Sequence, residues 1–225
     1  MKGRPLYGFA MPPFQFAFSG LLALMAVVLV PLDARAAPQT IVAFGDSLSA
    51  GYGVGPGESF PEQLQAALTA DGVDAKVINA GVSGDTTTGG LARLDWSVPE
   101  DVDLVIVELG ANDALRGVDP AIAEKNLDAI LTRLGERHLK VLLAGMMAPP
   151  NMGQDYAARF NAIYPKLAEK HGVPLYPFFL DGVAADRTLN QADGMHPNPQ
   201  GVKIIVKRML PAVKAALSGE TARQP

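Results

Sequence analysis

Short runs of β-branched and apolar residues recur along this chain, and within each the apolar character is continuous instead of alternating. Thr40-Ile41-Val42-Ala43-Phe44 ends at Gly45, and Val77-Ile78 precedes Asn79-Ala80-Gly81. Leu104-Val105-Ile106-Val107 leads into Glu108-Leu109-Gly110, and Val141-Leu142-Leu143-Ala144 repeats the pattern. A strand with one wet face alternates, whereas a strand apolar at every position is covered on both faces. That requirement is met by a parallel sheet sandwiched between helices. Helical patterns fall between the runs, as the architecture needs. Phe60, Leu64, Ala67 and Leu68 share one face of a helix over 60–68, and Asp119 and Pro120 open another over 120–134 as cap and first residue. Further helices are expected over 155–170 and, despite Pro211, over 202–217, with a short fifth strand inside 174–178. The expected fold class is a three-layer α/β/α sandwich with about five parallel strands.

The first 36 residues do not fit this pattern. Lys2 and Arg4 precede an apolar run from Leu21 to Val30, followed by Pro31 and the small-residue pattern Ala34-Arg35-Ala36. This is the layout of a secretory signal peptide cleaved after Ala36. An uncleaved anchor needs about 20 apolar residues, and the run falls short of that unless the polar Gln15 and Ser19 are counted inside it. The expected organisation is therefore a leader over 1–36, one domain over 37–217 and a flexible tail over 218–225, the product being exported to the periplasm or beyond without a transmembrane anchor.

Composition narrows the chemistry. The 225 residues include no cysteine, which removes disulfides, a thiolate nucleophile, Cys-ligated zinc and iron–sulfur clusters. A net charge of -4, from 19 Lys+Arg against 23 Asp+Glu, argues against nucleic acid as a partner. Three scattered histidines make no metal motif, and no cofactor is expected. Gly51-Tyr52-Gly53-Val54-Gly55-Pro56-Gly57 matches neither the dinucleotide nor the phosphate-loop spacing. No Gly-x-Ser-x-Gly elbow occurs.

In a parallel α/β sheet, ligands bind beyond the carboxyl ends of the strands. In order, those ends carry Gly45-Asp46-Ser47-Leu48, Gly81-Val82-Ser83-Gly84-Asp85, Gly110-Ala111-Asn112-Asp113 and, far downstream, Asp193-Gly194-Met195-His196-Pro197. A serine, an accessible glycine backbone, an asparagine and a histidine with a nearby acid are the parts acyl transfer needs. His138 and His171 sit at helix ends, where a polar or cationic residue suits the helix dipole. His196 lies in a loop three residues after an acid, so the Asp193 carboxylate can fold back onto one ring nitrogen and leave the other free as a base.

Gly45-Asp46-Ser47-Leu48, Gly81, Gly110-x-Asn112-Asp113 and Asp193-x-x-His196 resemble, in order, the four blocks of the SGNH or GDSL hydrolase family. The segment Phe44 to Gly53 resembles a narrower group within it, the small exported bacterial arylesterases also described as multifunctional acyl-CoA thioesterase I and lysophospholipase. The resemblance implies a flavodoxin-like strand topology and a serine ester hydrolase of broad acyl specificity. It implies Ser47 as nucleophile, His196 as general base and then acid, and Asp193 as the residue orienting His196. It further implies an oxyanion hole formed by the backbone N–H groups of Ser47 and Gly81 and the side-chain amide of Asn112. Glycine at 81 would let the backbone approach substrate without a Cβ.

Among neighbouring residues, Asp46 is expected to brace its loop, Asp85 to cap the following helix and Asp113 to brace the loop that aims Asn112, while Ser49 and Ser83 are read as structural. Met146, Met147 and Met152 lie in a Pro/Gly-bounded loop after the fourth strand and offer a deformable apolar lining for an acyl chain, unless they pack inward under the loop. The expected partners are small acyl esters or thioesters, lysophospholipids among them, and the protein is expected to be a monomer. Two alternatives are a carbohydrate acetylesterase with the same triad and a non-catalytic acyl-ligand binding protein. The second would lead one to expect damage at Ser47, Asn112 or His196, and all three are intact.

Overall fold

The computed structural model describes residues 37–219, together with Gly3 and Gly8. The chain divides into two units, Met1–Ala36 and Ala37–Pro225, and the fold below is that of the second. The expected leader, apart from those two glycines, and residues 220–225 of the expected tail lie outside the described residues.

Five strands form one parallel sheet: β1 (Gln39–Gly45), β2 (Ala75–Gly81), β3 (Leu104–Glu108), β4 (Val141–Ala144) and β5 (Leu175–Tyr176). Their order is β2-β1-β3-β4-β5, the flavodoxin-like arrangement. The central strands explain the continuous apolar runs. Ile41 to Phe44 of β1 and Leu104 to Val107 of β3 are fully buried, because helices cover both faces. Strand β2 lies at an edge and is only partly covered, so its apolar run is short.

The register levels the strand ends. Gly45 pairs with Gly81 on one side and Glu108 on the other, Glu108 with Ala144, and Ala144 with Tyr176. The loops that follow therefore emerge in one row. Sheet order reverses between β1 and β3, and a crevice opens at such a point.

Among the described residues, eight α-helices complete the unit. They are α1 (Ser47–Ala50), α2 (Phe60–Ala70), α3 (Thr87–Ser97), α4 (Ala111–Leu115), α5 (Pro120–Glu136), α6 (Gln154–Asn161), α7 (Ile163–His171) and α8 (Pro199–Ser218). Helix α2 packs on α8, while α5 packs on α3 and α7. Helix α5 starts as expected, with Asp119 accepting from the Ala121 N–H beside Pro120.

Several expectations need correction. The single helix over 155–170 is two, broken at Ala162. Helix α8 continues through Ser218 and is closed by Gly219 at φ 76°, so Ser218 belongs to the domain and not to the tail. Helix α3, the helix expected after Asp85, carries Gly89 and Gly90, and Gly90 lets it press close to Leu109. Its cap is Thr86, not Asp85; Asp85 instead pairs with the buried Arg93, at 2.6 Å.

Candidate active site

Ser47 sits where β1 ends, as the first residue of the one-turn helix α1. Asp46 caps that turn: its Oδ1 accepts from the Leu48 N–H at 3.0 Å, and Gly51 in the left-handed region closes it. The backbone N–H of a first helical residue has no partner within its helix, so Ser47 presents both a hydroxyl and an N–H at the crevice.

The histidine arrives from a loop 149 residues later. His196 Nε2 lies 3.0 Å from Ser47 Oγ, and His196 Nδ1 lies 2.6 Å from Asp193 Oδ2. A carboxylate only accepts, so Nδ1 carries the ring proton and Nε2 turns its lone pair toward the serine hydroxyl. The other Asp193 oxygen accepts from the N–H groups of Met195 and His196 at 2.9 and 3.0 Å. Those two backbone bonds, then the bond to the His196 ring, bring the Asp193 carboxyl down to about 2. It is therefore ionised at any pH where the imidazole needs orienting. The Tyr52 ring lies 4.6 Å from the His196 ring, on the side of the serine loop.

Asn112 comes from α4, directly after β3. Gly110 makes the turn at φ 118°, where a Cβ would fall 2.2 Å from the Tyr164 hydroxyl. One Asn112 Nδ2 hydrogen is donated to Asp46 Oδ2 at 3.0 Å, leaving the other available. Asp113 is fully buried and accepts from the Thr87 hydroxyl at 2.6 Å and the Thr87 N–H at 2.8 Å, tying α4 to the start of α3.

Gly81 departs from its expected role. Its N–H donates to Asn79 Oδ1 at 3.0 Å. A Cβ on Gly81 would lie 2.3 Å from the Ala50 nitrogen, so glycine is required there for α1 to dock on β2, whatever approaches from outside. Gly84, three residues on, is different. It stands at φ 81°, and its N–H has no partner among the described residues. Its loop is fixed at both sides of the crevice, through Val82 N–H to Gly45 O at 3.0 Å and Arg116 Nη2 to Gly84 O at 2.7 Å.

The three methionines separate. Met146 is 3% exposed and part of the packed core, so it presents no surface to a ligand. Met147 is 53% exposed. Met152 ends a 3₁₀ turn over Pro150–Met152 and reaches toward Gly117.

Sequence reasoning gave no role to Glu108. Its carboxyl is fully buried under the nucleophile loop, accepting from the Ser49 hydroxyl at 2.8 Å and the Asp46 N–H at 3.2 Å. Burial and the nearby Asp46 charge hold its pKa well above the carboxylate range. Burial likewise raises Asp46 to about 6, against the lowering effect of its hydrogen bonds. The signal for Glu108 was an acid closing an otherwise apolar strand.

Fold and site together place the protein among the serine hydrolases built on a parallel sheet. More narrowly, the chain belongs to the GDSL-like lipase/acylhydrolase family, whose model matches residues 43–204. It is 39% identical over 198 residues to the esterase TesA of Pseudomonas aeruginosa, covering 88% of this chain and 98% of that protein. It is 40% identical over 188 residues to thioesterase 1/protease 1/lysophospholipase L1 of Escherichia coli K12, covering 82% and 88% of the two chains. The crystal structure of AlinE4, an SGNH-hydrolase family esterase, is similar at TM-score 0.68 and 50% identity, over 80% of this chain and 97% of that one.

Proposed function

We propose that this serine ester hydrolase cleaves acyl esters and thioesters through an acyl-enzyme on Ser47, with His196 as proton carrier and Asp193 as its orienting acid. The observation that carries the reading is the relay itself: Ser47 Oγ to His196 Nε2 at 3.0 Å and His196 Nδ1 to Asp193 Oδ2 at 2.6 Å. His196 takes the hydroxyl proton as Ser47 Oγ attacks the acyl carbon. It then returns the proton to the departing alcohol or thiol. Water, deprotonated by the same nitrogen, attacks the acyl-enzyme and releases the acid. Charge on the tetrahedral oxygen is met by the N–H of Ser47, the free Asn112 Nδ2 hydrogen and the unpaired N–H of Gly84, with Gly81 as the support on which α1 rests.

An apolar acyl substrate is supported by the rim. Tyr52, Val82, Leu115, Met147 and Met195 are large, exposed hydrophobic residues on segments at the carboxyl edge of the sheet. Lysophospholipids fit the same description. Of the methionine loop, Met147 and Met152 are the residues proposed to meet the chain. A chain-length profile left unchanged by Met152→Ala would remove Met152 from that role.

Ser47→Ala should abolish hydrolysis of p-nitrophenyl esters and acyl thioesters alike, and retained activity would refute the mechanism. The protein is proposed to act as an exported monomer after removal of residues 1–36, on the strength of the cation, apolar-run and Ala-x-Ala order of that segment. N-terminal sequencing of the periplasmic product should begin at Ala37. Among the described residues no helix is long and apolar enough to cross a membrane.

A further inference from the structure

Two loops must be held together for Ser47 to face His196, and one side chain bridges them. Gln191 Nε2 lies 2.7 Å from the carbonyl oxygen of Tyr52 and 2.9 Å from that of Pro197. A primary amide has two N–H donors, and both are used. Its Oε1 occupies the space left by the absent side chain of Gly53, where a Cβ would lie 2.1 Å away. The backbone of Gln191 is anchored in the histidine loop: its N–H donates to His196 O at 2.8 Å and its carbonyl accepts from Gly194 at 2.9 Å. Beside it, Asn190 and Pro197 form an antiparallel bridge.

The two carbonyls are informative. Tyr52 donates its own N–H to Ser47 O at 3.2 Å and lays its ring against His196. Pro197 directly follows His196. Among the described residues, the only other hydrogen bond between the 46–54 segment and the 186–198 loop is that from Ser47 to His196. Resting on the reading of those two residues as nucleophile and base, we infer that Gln191 is a positioning residue: its amide fastens the serine loop to the histidine loop and fixes the Ser47–His196 separation.

Each loop keeps its own supports without this amide. Helix α1 is closed by Gly51, and the histidine loop is held by Asn190 Nδ2 to Val183 O and Asp186 O, both at 2.7 Å, and by the Asn198 N–H to Leu189 O at 2.9 Å. Loss of the bridge should therefore loosen the relay while leaving the fold. A misplacement of about 1 Å between reacting groups costs on the order of 100-fold in rate.

The test uses the purified full chain with Gln191→Met, which keeps length without donors, and Gln191→Glu, which keeps shape but sets a carboxylate against two carbonyls. For both, kcat should fall by about 10- to 100-fold with KM within about twofold of wild type. The rate of Ser47 modification by a fluorophosphonate should fall in parallel, and the thermal midpoint should stay within a few degrees. Wild-type kcat in Gln191→Met overturns the inference. So does a failure of that variant to fold, which would assign Gln191 to stability. Ser47→Ala in the same assays separates the two claims: activity surviving there refutes the nucleophile, whereas activity lost there but intact in Gln191→Met refutes only the positioning role.

Discussion

Asp46 Oδ2 accepts a hydrogen bond from Asn112 Nδ2 at 3.0 Å, so the residue preceding the nucleophile aims the amide proposed to receive the oxyanion. This joins the end of β1 to the helix after β3, across the point where sheet order reverses. Asn112→Ala should lower kcat by about 100- to 1,000-fold with little change in KM, because the donor acts on charge that exists only in the transition state. Asp46→Ala leaves the amide present but unaimed, and kcat should fall by a smaller factor, about tenfold. Steady-state kinetics on both variants checks this. A change confined to KM for Asp46→Ala would show that the carboxylate does not aim Asn112.

Arg93 should carry an unusual share of the stability. Its side chain is 6% exposed, and it bonds Asp85 Oδ2 at 2.6 Å, Ala80 O and Gly45 O at 2.8 Å, and Ser97 Oγ at 3.2 Å, above the Phe44 ring. Arg93→Met strands a nearly buried Asp85 and leaves strand-end carbonyls with fewer donors. The expected loss is about 3–5 kcal/mol. Urea denaturation of the variant measures it, and a loss under about 1 kcal/mol would mean that water replaces the guanidinium.

How much of this was legible in advance depended on whether the cause was local. The apolar runs of β1, β3 and β4 announced a doubly covered sheet because burial acts on every residue of a central strand. Asp193-x-x-His196 was legible for the same reason, since a carboxylate turning back onto the next backbone N–H groups is a contact within four residues. Gly81 was misread because its reason is the backbone of Ala50, thirty-one positions earlier, which no spacing rule reveals. Arg93 and Glu108 went unassigned because an ionisable group inside a sandwich is explained by partners far along the chain, Gly45 for Arg93 and Asp46 and Ser49 for Glu108. Gln191 was hidden likewise, its partner Tyr52 lying 139 residues away.

The buried acids set the pH dependence of stability. Asp46 is raised to about 6 and Glu108 well above the carboxylate range, both mainly by burial. A carboxyl whose folded pKa exceeds its unfolded one favours folding fully below the unfolded value, and that contribution is lost as pH rises through the folded value. The Asp193 carboxyl, brought down to about 2, has the opposite sign, and its contribution is lost only at more acid pH. The thermal midpoint should therefore fall as pH rises through about 6, where Asp46 ionises, and keep falling above it as Glu108 ionises. Glu108→Gln, which cannot ionise, should flatten the decline. An equal slope in the variant would mean that Glu108 is ionised at little cost.

Gly81 and Gly84 should fail in different ways when each is given a methyl group. On Gly81 the new carbon would lie 2.3 Å from the Ala50 nitrogen and 2.7 Å from its Cα, both backbone atoms that yield only if α1 shifts. Overpacking of this kind costs about 1–3 kcal/mol, so Gly81→Ala should lower the thermal midpoint, and activity with it as Ser47 moves. On Gly84 the nearest atom is Arg116 Nη2 at 3.6 Å, so space is adequate and the cost is that of φ 81° in a residue with a side chain, about 1–2 kcal/mol. Relief of that strain turns the peptide and with it the proposed oxyanion donor. Gly84→Ala should therefore lower kcat at least tenfold with a smaller loss of thermal stability than Gly81→Ala, since losing such a donor outright costs about 100- to 1,000-fold. Differential scanning fluorimetry beside ester kinetics separates the two. If kcat in Gly84→Ala stays within twofold of wild type, the third donor is not the Gly84 N–H, and the oxyanion rests on Ser47 and Asn112.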